Sequence, residues 1–169
     1  QRGKDHPLIE AARLVQEDLL ILNKSGADDE HSLIGGVLCF PALWKLSEKF
    51  ERPLSRIHLP VPEYSTNVAI RVQRMFDSIK VGRPLWRANW FVHETPELFS
   101  PKPEKNKVSS GKIFLDQEFW VRVERQVFFR LPKSHTVIFS IHTFMVHYKS
   151  LTKLQLETLK SGDIGAKIV

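Results

Sequence analysis

Cysteine is nearly absent from this chain. Cys39 is the single one in 169 residues. No disulfide can therefore close within the chain, and neither a cysteine-built zinc site nor an all-protein iron–sulfur cluster can form in it. The scarcity points to a reducing compartment, and a cytoplasmic location is expected. Long apolar runs are also missing. None approaches the roughly 18–20 residues that a membrane span requires, and no secretory-type apolar segment follows the polar residues 1–7. There is no glycine-rich phosphate loop, no dinucleotide fingerprint, no serine-hydrolase elbow and no pair of histidines at zincin spacing. The sequence therefore offers no self-evident hydrolase or cofactor-free enzyme. The chain opens on Gln1 rather than Met, so a processed or truncated piece of a longer protein is expected.

What is present is globular. Hydrophobic residues make up 42%, charged residues 26%, and phenylalanine occurs 11 times, values that suit one packed domain over residues 1–169 rather than a disordered chain. The net charge of +6 favours an anionic partner: nucleic acid, an acidic protein or the carboxylates of a cofactor. Nucleic acid is the weakest of these, because the basic residues are scattered and no stacking-aromatic motif accompanies them. Lys102, Lys105, Lys107 and Lys112 fall in one expected loop, where lysines are ordinarily solvated.

The spacing predicts a helix over residues 7–17, with Leu8, Ala11, Ala12 and Val15 on one stripe and Pro7 in its first turn. Two strands follow, residues 18–23 and 33–40. Gly35-Gly36 in the second suggests a bulge or a close backbone approach. Pro41 is expected to open a helix running to Phe50. A short turn over residues 53–57 then leads into the proline-stiffened stretch 58–64, and Ser65-Thr66-Asn67 cap a further helix. Strands are expected at 85–93, 117–130 and 135–147, with a long mobile connection over 95–111. A closing helix over 150–160 has Ser150 as its cap. Two strands, a helical crossover and three strands give an α+β fold in PAS-like order: a five-stranded antiparallel sheet with helices packed on one face.

Several residues could carry chemistry. His58 follows a helix and precedes stiff backbone; a neutral imidazole held there is a good haem-iron ligand, and the competing reading is a ring bonded to the backbone. Alternation along 121–127 puts Arg122, Glu124 and Gln126 on one face and Arg125 on the other, among Val123, Val127 and Phe129. The first set is either a solvated sheet face or a buried polar group. Arg125, with apolar neighbours, is suited to a bidentate bond with a carboxylate. Trp86 and Trp90 share a face, as core or as a cofactor wall, while Arg83 and Arg87 supply anion-binding donors. His142 lies in an apolar strand, as a core histidine or a cavity group.

Taken together, residues 14–22 (LVQEDLLIL), 36–44 (GVLCFPALW), 57–64 (IHLPVPEY), 82–90 (GRPLWRANW), 122–126 (RVERQ), 131–134 (LPKS) and 139–143 (FSIHT) resemble the haem subunit of the haem-dependent oxidative N-demethylases, in that family's order and over most of residues 8–145. The resemblance implies a PAS-like fold binding haem b, and O₂-dependent demethylation of a secondary amine such as dimethylamine with release of formaldehyde. Electrons would come from NADPH through a separate reductase carrying FMN and an iron–sulfur centre. It implies His58 as the axial ligand, Tyr64 and Glu124 near the substrate, and Arg87 and Arg125 at the propionates. His142 and Trp90 are further candidates for the cofactor wall. The chain departs from the family at Ile141-His142-Thr143-Phe144, where Ile-Arg-Thr-Tyr is usual. The rival readings are a PAS-like sensor that binds haem or another small ligand without turnover, and a domain whose core is simply filled.

Overall fold

A computed structural model of the chain describes residues 5–26, 30–61, 64–102, 118–161 and 167–168. Helix α1 (Pro7–Ala12) leads into strands β1 (Asp18–Asn23) and β2 (Ser32–Val37). Three helices follow, α2 (Leu46–Lys49), α3 (Leu54–Ile57) and α4 (Thr66–Ser78). Strands β3 (Leu85–His93), β4 (Trp120–Arg130) and β5 (Val137–His147) come next, then α5 (Lys153–Ser161) and the short β6 (Lys167–Ile168). The strands form one sheet in the order β2-β1-β5-β4-β3-β6. The first five are antiparallel, and β6 runs parallel to β3. The expected α+β architecture with a five-stranded antiparallel sheet is therefore present, with one added strand. Its order is compatible with a PAS-like arrangement.

Register fixes the two faces, because residues directly opposite in a ladder share a side. On the inner face Leu20, Leu22, Phe128, Val137 and Ile141 are buried against Phe76 and Ile79 of the α4 segment, with Leu54 of α3. The Phe76 ring meets Phe128 edge-on at 5.5 Å, and Phe128 stacks on Phe139 at 4.5 Å. Burying rings of this size supplies roughly 1.5–3 kcal/mol each. The expectation that helices keep to one face holds for α3 and α4 but not for α5. Its Leu156 and Leu159 join Trp90, Val92, Val121 and Val123, the opposite parity on both strands.

Several boundaries moved for local reasons. Helix α1 stops at Ala12, and Leu14 is left 85% exposed, so the stripe ends before the expected residue 17. Pro41 opens no helix: its carbonyl accepts from Ser100 N–H, while Leu43, at φ 60, donates to the Ser100 carbonyl, which ties this segment to the β3–β4 connection. Ser65 caps α4 as expected, its hydroxyl accepting from Val68 N–H at 3.4 Å. Thr152, not Ser150, caps α5, through a reciprocal exchange with Gln155 three residues on. Of the two readings of the glycine pair the close approach is met at Gly36, while the register break falls one residue before the pair. The β1–β2 register shifts at Ile34, and a Cβ on Gly36 would meet Leu20 Cδ2 at 2.8 Å. Residues 103–111 of the expected mobile connection lie outside the described residues.

Candidate haem and substrate site

The inner face changes character from β5 towards β3. Arg122, Glu124 and Gln126 alternate along β4 and all point inward; none exposes more than 9% of its surface. The Arg122 guanidinium is fully enclosed. It donates to the carbonyls of Phe40 and Leu98, to Thr143 Oγ1 at 3.3 Å and to Glu124 Oε1 at 3.2 Å. It therefore neutralises Glu124 while pinning two loops to the sheet. Gln126 Nε2 donates to the other Glu124 oxygen at 3.2 Å, and Gln126 Oε1 accepts from Arg87 Nε at 2.7 Å. Buried charges survive only when paired and hydrogen-bonded in this way. Asp18, 1% exposed, opens β1 next to this chain of bonds and accepts from the amides of Cys39 and Phe40 at 2.6 and 2.8 Å. Burial raises its carboxyl above the ordinary range, opposed by those two amides and by Arg122.

Arg87 and Asn89 lie opposite Gln126 and Glu124, so they share the inner face, yet both are exposed, as is Leu85 at 40%. No described residue bonds the terminal nitrogens of Arg87. Partial desolvation lowers its guanidinium below the ordinary value, opposed by Glu124. The guanidinium stays charged regardless. The inner face is thus filled under α4 and open along the first half of β3.

His58 sits at the end of α3, one turn of helix built on Pro53. Its Nδ1 lies 2.8 Å from the Leu54 carbonyl, which can only accept. Nδ1 therefore carries the proton, and in the neutral ring Nε2 holds the lone pair, the tautomer a metal-ligating histidine adopts. The competing reading of a backbone-bonded ring is what the structure shows, and the bond that orients the ring also fixes its tautomer. Tyr64 stacks on this imidazole at 4.3 Å and 14°. Its hydroxyl is buried and has no hydrogen-bond partner among the described residues. Burial, then the charge of Glu30, raises the phenol above its ordinary value.

The remaining sequence candidates lie elsewhere. Arg125 and His142 face each other on the outer side of the sheet, where Arg125 donates to Glu17 at 3.3 Å and His142 Nδ1 lies 3.6 Å from the same carboxylate. Arg125 is exposed there, because the apolar neighbours that suggested burial cover only part of that face. Trp90 packs with α5, also outside. None of the three reaches the inner face that carries Arg87 and Glu124. The sequence reading did not single out Asp18, although an acid opening an otherwise apolar strand was a usable signal. Arg122 and Gln126 it left as an open choice between solvent and core. His93 Nε2, on the inner face beside Phe91, is a further buried atom with no partner among the described residues. A cleft of about 340 Å³ lies apart, at the turns around Lys24, Asp77 and Ser134. Among the described residues no three His, Cys, Asp or Glu side chains form a metal-binding group, and no helix is long and apolar enough to cross a membrane.

Fold and site together define an α+β domain whose antiparallel sheet carries a buried ion network opening onto an arginine ledge, with an oriented histidine and a buried phenol on the helical side. The chain belongs to the haem-dependent oxidative N-demethylase, alpha subunit-like family, whose model matches residues 1–161. Dependence on haem, oxidative N-demethylation and membership of an assembly with another subunit are the properties that description carries. Three groups have the chemistry a haem would call on: His58 in its Nδ1–H tautomer, the Tyr64 hydroxyl, buried with no hydrogen-bond partner among the described residues, and the exposed Arg87 donors, suited to a propionate.

Proposed function

We propose that this chain carries haem b through His58 and takes part in the O₂-dependent demethylation of a small secondary amine of the dimethylamine type. The observation that carries the reading is the His58 ring, tautomer-fixed by Leu54 and stacked on a phenol whose hydroxyl is buried and without a hydrogen-bond partner among the described residues. The haem, when bound, supplies the activation of O₂ and the removal of electrons from the N-methyl group. The chain's own residues bind and orient. A bound haem would be held at its iron by His58 and at a propionate by Arg87; Gln126 holds Arg87 in place, and Glu124 orients Gln126 in turn. Both Glu124 oxygens are engaged, so it acts through this relay and through its charge rather than by gripping the amine. The Tyr64 hydroxyl is the hydrogen-bonding group offered to a small polar substrate. Arg125, His142 and Trp90, on the other side of the sheet, have no part in it.

In balance, the secondary amine, O₂, two electrons and two protons give the primary amine, formaldehyde and water. The electrons come from a separate reductase component that carries FMN and an iron–sulfur centre and draws on NADPH. Cys39 alone cannot hold such a cluster, and the lone exposed thiol suits a cytoplasmic setting.

The test is the absorption spectrum of the purified chain reconstituted with haem, oxidised and reduced. A Soret band that His58→Ala abolishes or shifts is expected, and an unchanged spectrum would assign the ligand elsewhere. Formaldehyde release from dimethylamine with a reductant separates the enzyme from its rival, a haem- or small-ligand-binding PAS-like sensor without turnover.

A further inference from the structure

Helix α3 is too short to hold itself. A single turn fixes three residues for one hydrogen bond, which is unfavourable without outside support. Its own bonds are Ile57 N–H to the Pro53 carbonyl at 2.9 Å and His58 N–H to the Leu54 carbonyl at 3.0 Å. Pro53, at the cap position, has no side-chain oxygen to accept from the first amides. Both amides are nevertheless satisfied from a distant segment. Leu54 N–H donates to the His31 carbonyl at 3.0 Å, and Ser55 N–H donates to Glu30 Oε2 at 3.0 Å. At the other end Lys49, 8% exposed, donates from Nζ to the Ile57 carbonyl at 2.6 Å. The carboxylate thus sits at the positive end of the turn and the ammonium at its negative end, the favourable sense for both. The Glu30 segment is itself anchored, because Gln73 of α4 accepts from His31 N–H at 3.1 Å and lies 2.9 Å from His31 Nδ1.

Leu54 anchors this turn in the core, but that packing does not by itself require a buried lysine, whose desolvation is expensive. The residue that follows the clamped turn is His58, and Glu30 also acts electrostatically on Tyr64, the ring stacked on it. We propose that Glu30 and Lys49 are positioning residues for His58, clamping α3 from its two ends so that the imidazole is presented to the iron in one orientation. This rests on His58 being the axial ligand.

The experiment measures transfer of haem from the reconstituted full chain to apomyoglobin. Removing a group that orients a metal ligand typically weakens metal binding 10–100-fold. Glu30→Ala and Lys49→Ala are therefore expected to release haem at least about tenfold faster than the parent. Glu30→Gln keeps an acceptor for Ser55 N–H, and Lys49→Gln keeps a donor for the Ile57 carbonyl, so both should stay within roughly threefold of the parent. A merely structural role would not give that rescue pattern. Should Glu30→Ala fail to fold, Lys49→Met against Lys49→Gln puts the same question. Alanine variants that hold haem as tightly as the parent, while His58→Ala loses it, overturn the clamp. If His58→Ala keeps the parental spectrum, the ligand assignment is what has failed. Amide exchange at Ser55 and His58 in the haem-free chain then decides the clamp: about tenfold faster exchange in Glu30→Ala supports it, and unchanged exchange overturns it.

Discussion

The two halves of the inner sheet face are built on opposite principles. Under α4 the surface of β1, β5 and the end of β4 is apolar and closed, with Leu22, Val137 and Phe128 between 0 and 4% exposed. Along β3 and the start of β4 the same face carries Arg122, Glu124, Gln126 and Arg87, and it opens to solvent at Arg87 and Asn89. The first half is held by packing, which tolerates any side chain of the right shape and size. The second is held by a chain of directed bonds in which each member needs its neighbour. The ion network lets the open half of the face stay ordered beside bulk water.

The comparison is broken most severely at Arg122. Arg122→Leu should destabilise the chain by about 3–5 kcal/mol in urea denaturation, because it leaves the Glu124 carboxylate buried without its cation. A variant as stable as the parent would show that the network is decoration. Phe128→Ala should lose a similar amount, about 3–5 kcal/mol, for a different reason: a cavity opens between Phe76 and Phe139. The two losses should also differ in kind. Phe128→Ala should loosen α4 in hydrogen exchange, while Arg122→Leu should loosen the segments at Phe40 and Leu98.

Each half contains one buried histidine whose protonation is suppressed. Burial lowers His31 and His93 below the ordinary 6.5, opposed at His31 by Gln73 and at His93 by the Thr95 carbonyl. Below pH 6.5 the unfolded chain takes up protons that the folded chain refuses, so stability is lost as pH falls from 6.5 towards the folded values. Thermal melts between pH 7 and 5 should show this decline, and His93→Phe should make it shallower. A slope unaffected by that change would mean that His93 is not held neutral. The smallest effect is expected on the uncovered strand: Trp86, 72% exposed, should tolerate alanine to within about ±0.5 kcal/mol. A larger loss would show that something covers it in solution.

Much of this plan was legible in the residues. The run DLLILN matches β1 from end to end, and LWRANWFVH matches β3, because β-branched and aromatic residues bounded by turn signals have few other uses. The cap at Ser65 was legible because it is local, whereas the short turn expected after Pro53 became a helical turn held by His31, Glu30 and Lys49. The helix expected from Pro41 to Phe50 forms only over its second half, Leu46–Lys49, because a distant partner, Ser100, took the backbone groups of its first half. Within the site, the pairing of Arg87 with Gln126 required the β3–β4 register, which a single strand does not contain.

Alternation along β4 determined that Arg122, Glu124 and Gln126 share one side and Arg125 takes the other, since successive side chains must point oppositely. Which side is covered was decided only when Phe128 met Phe76 of α4, across about fifty residues of sequence. That one contact turned the polar set inward and left Arg125 and His142 to Glu17 on the outside. Period reports partnership within a strand, whereas burial is a property of what arrives from elsewhere in the chain.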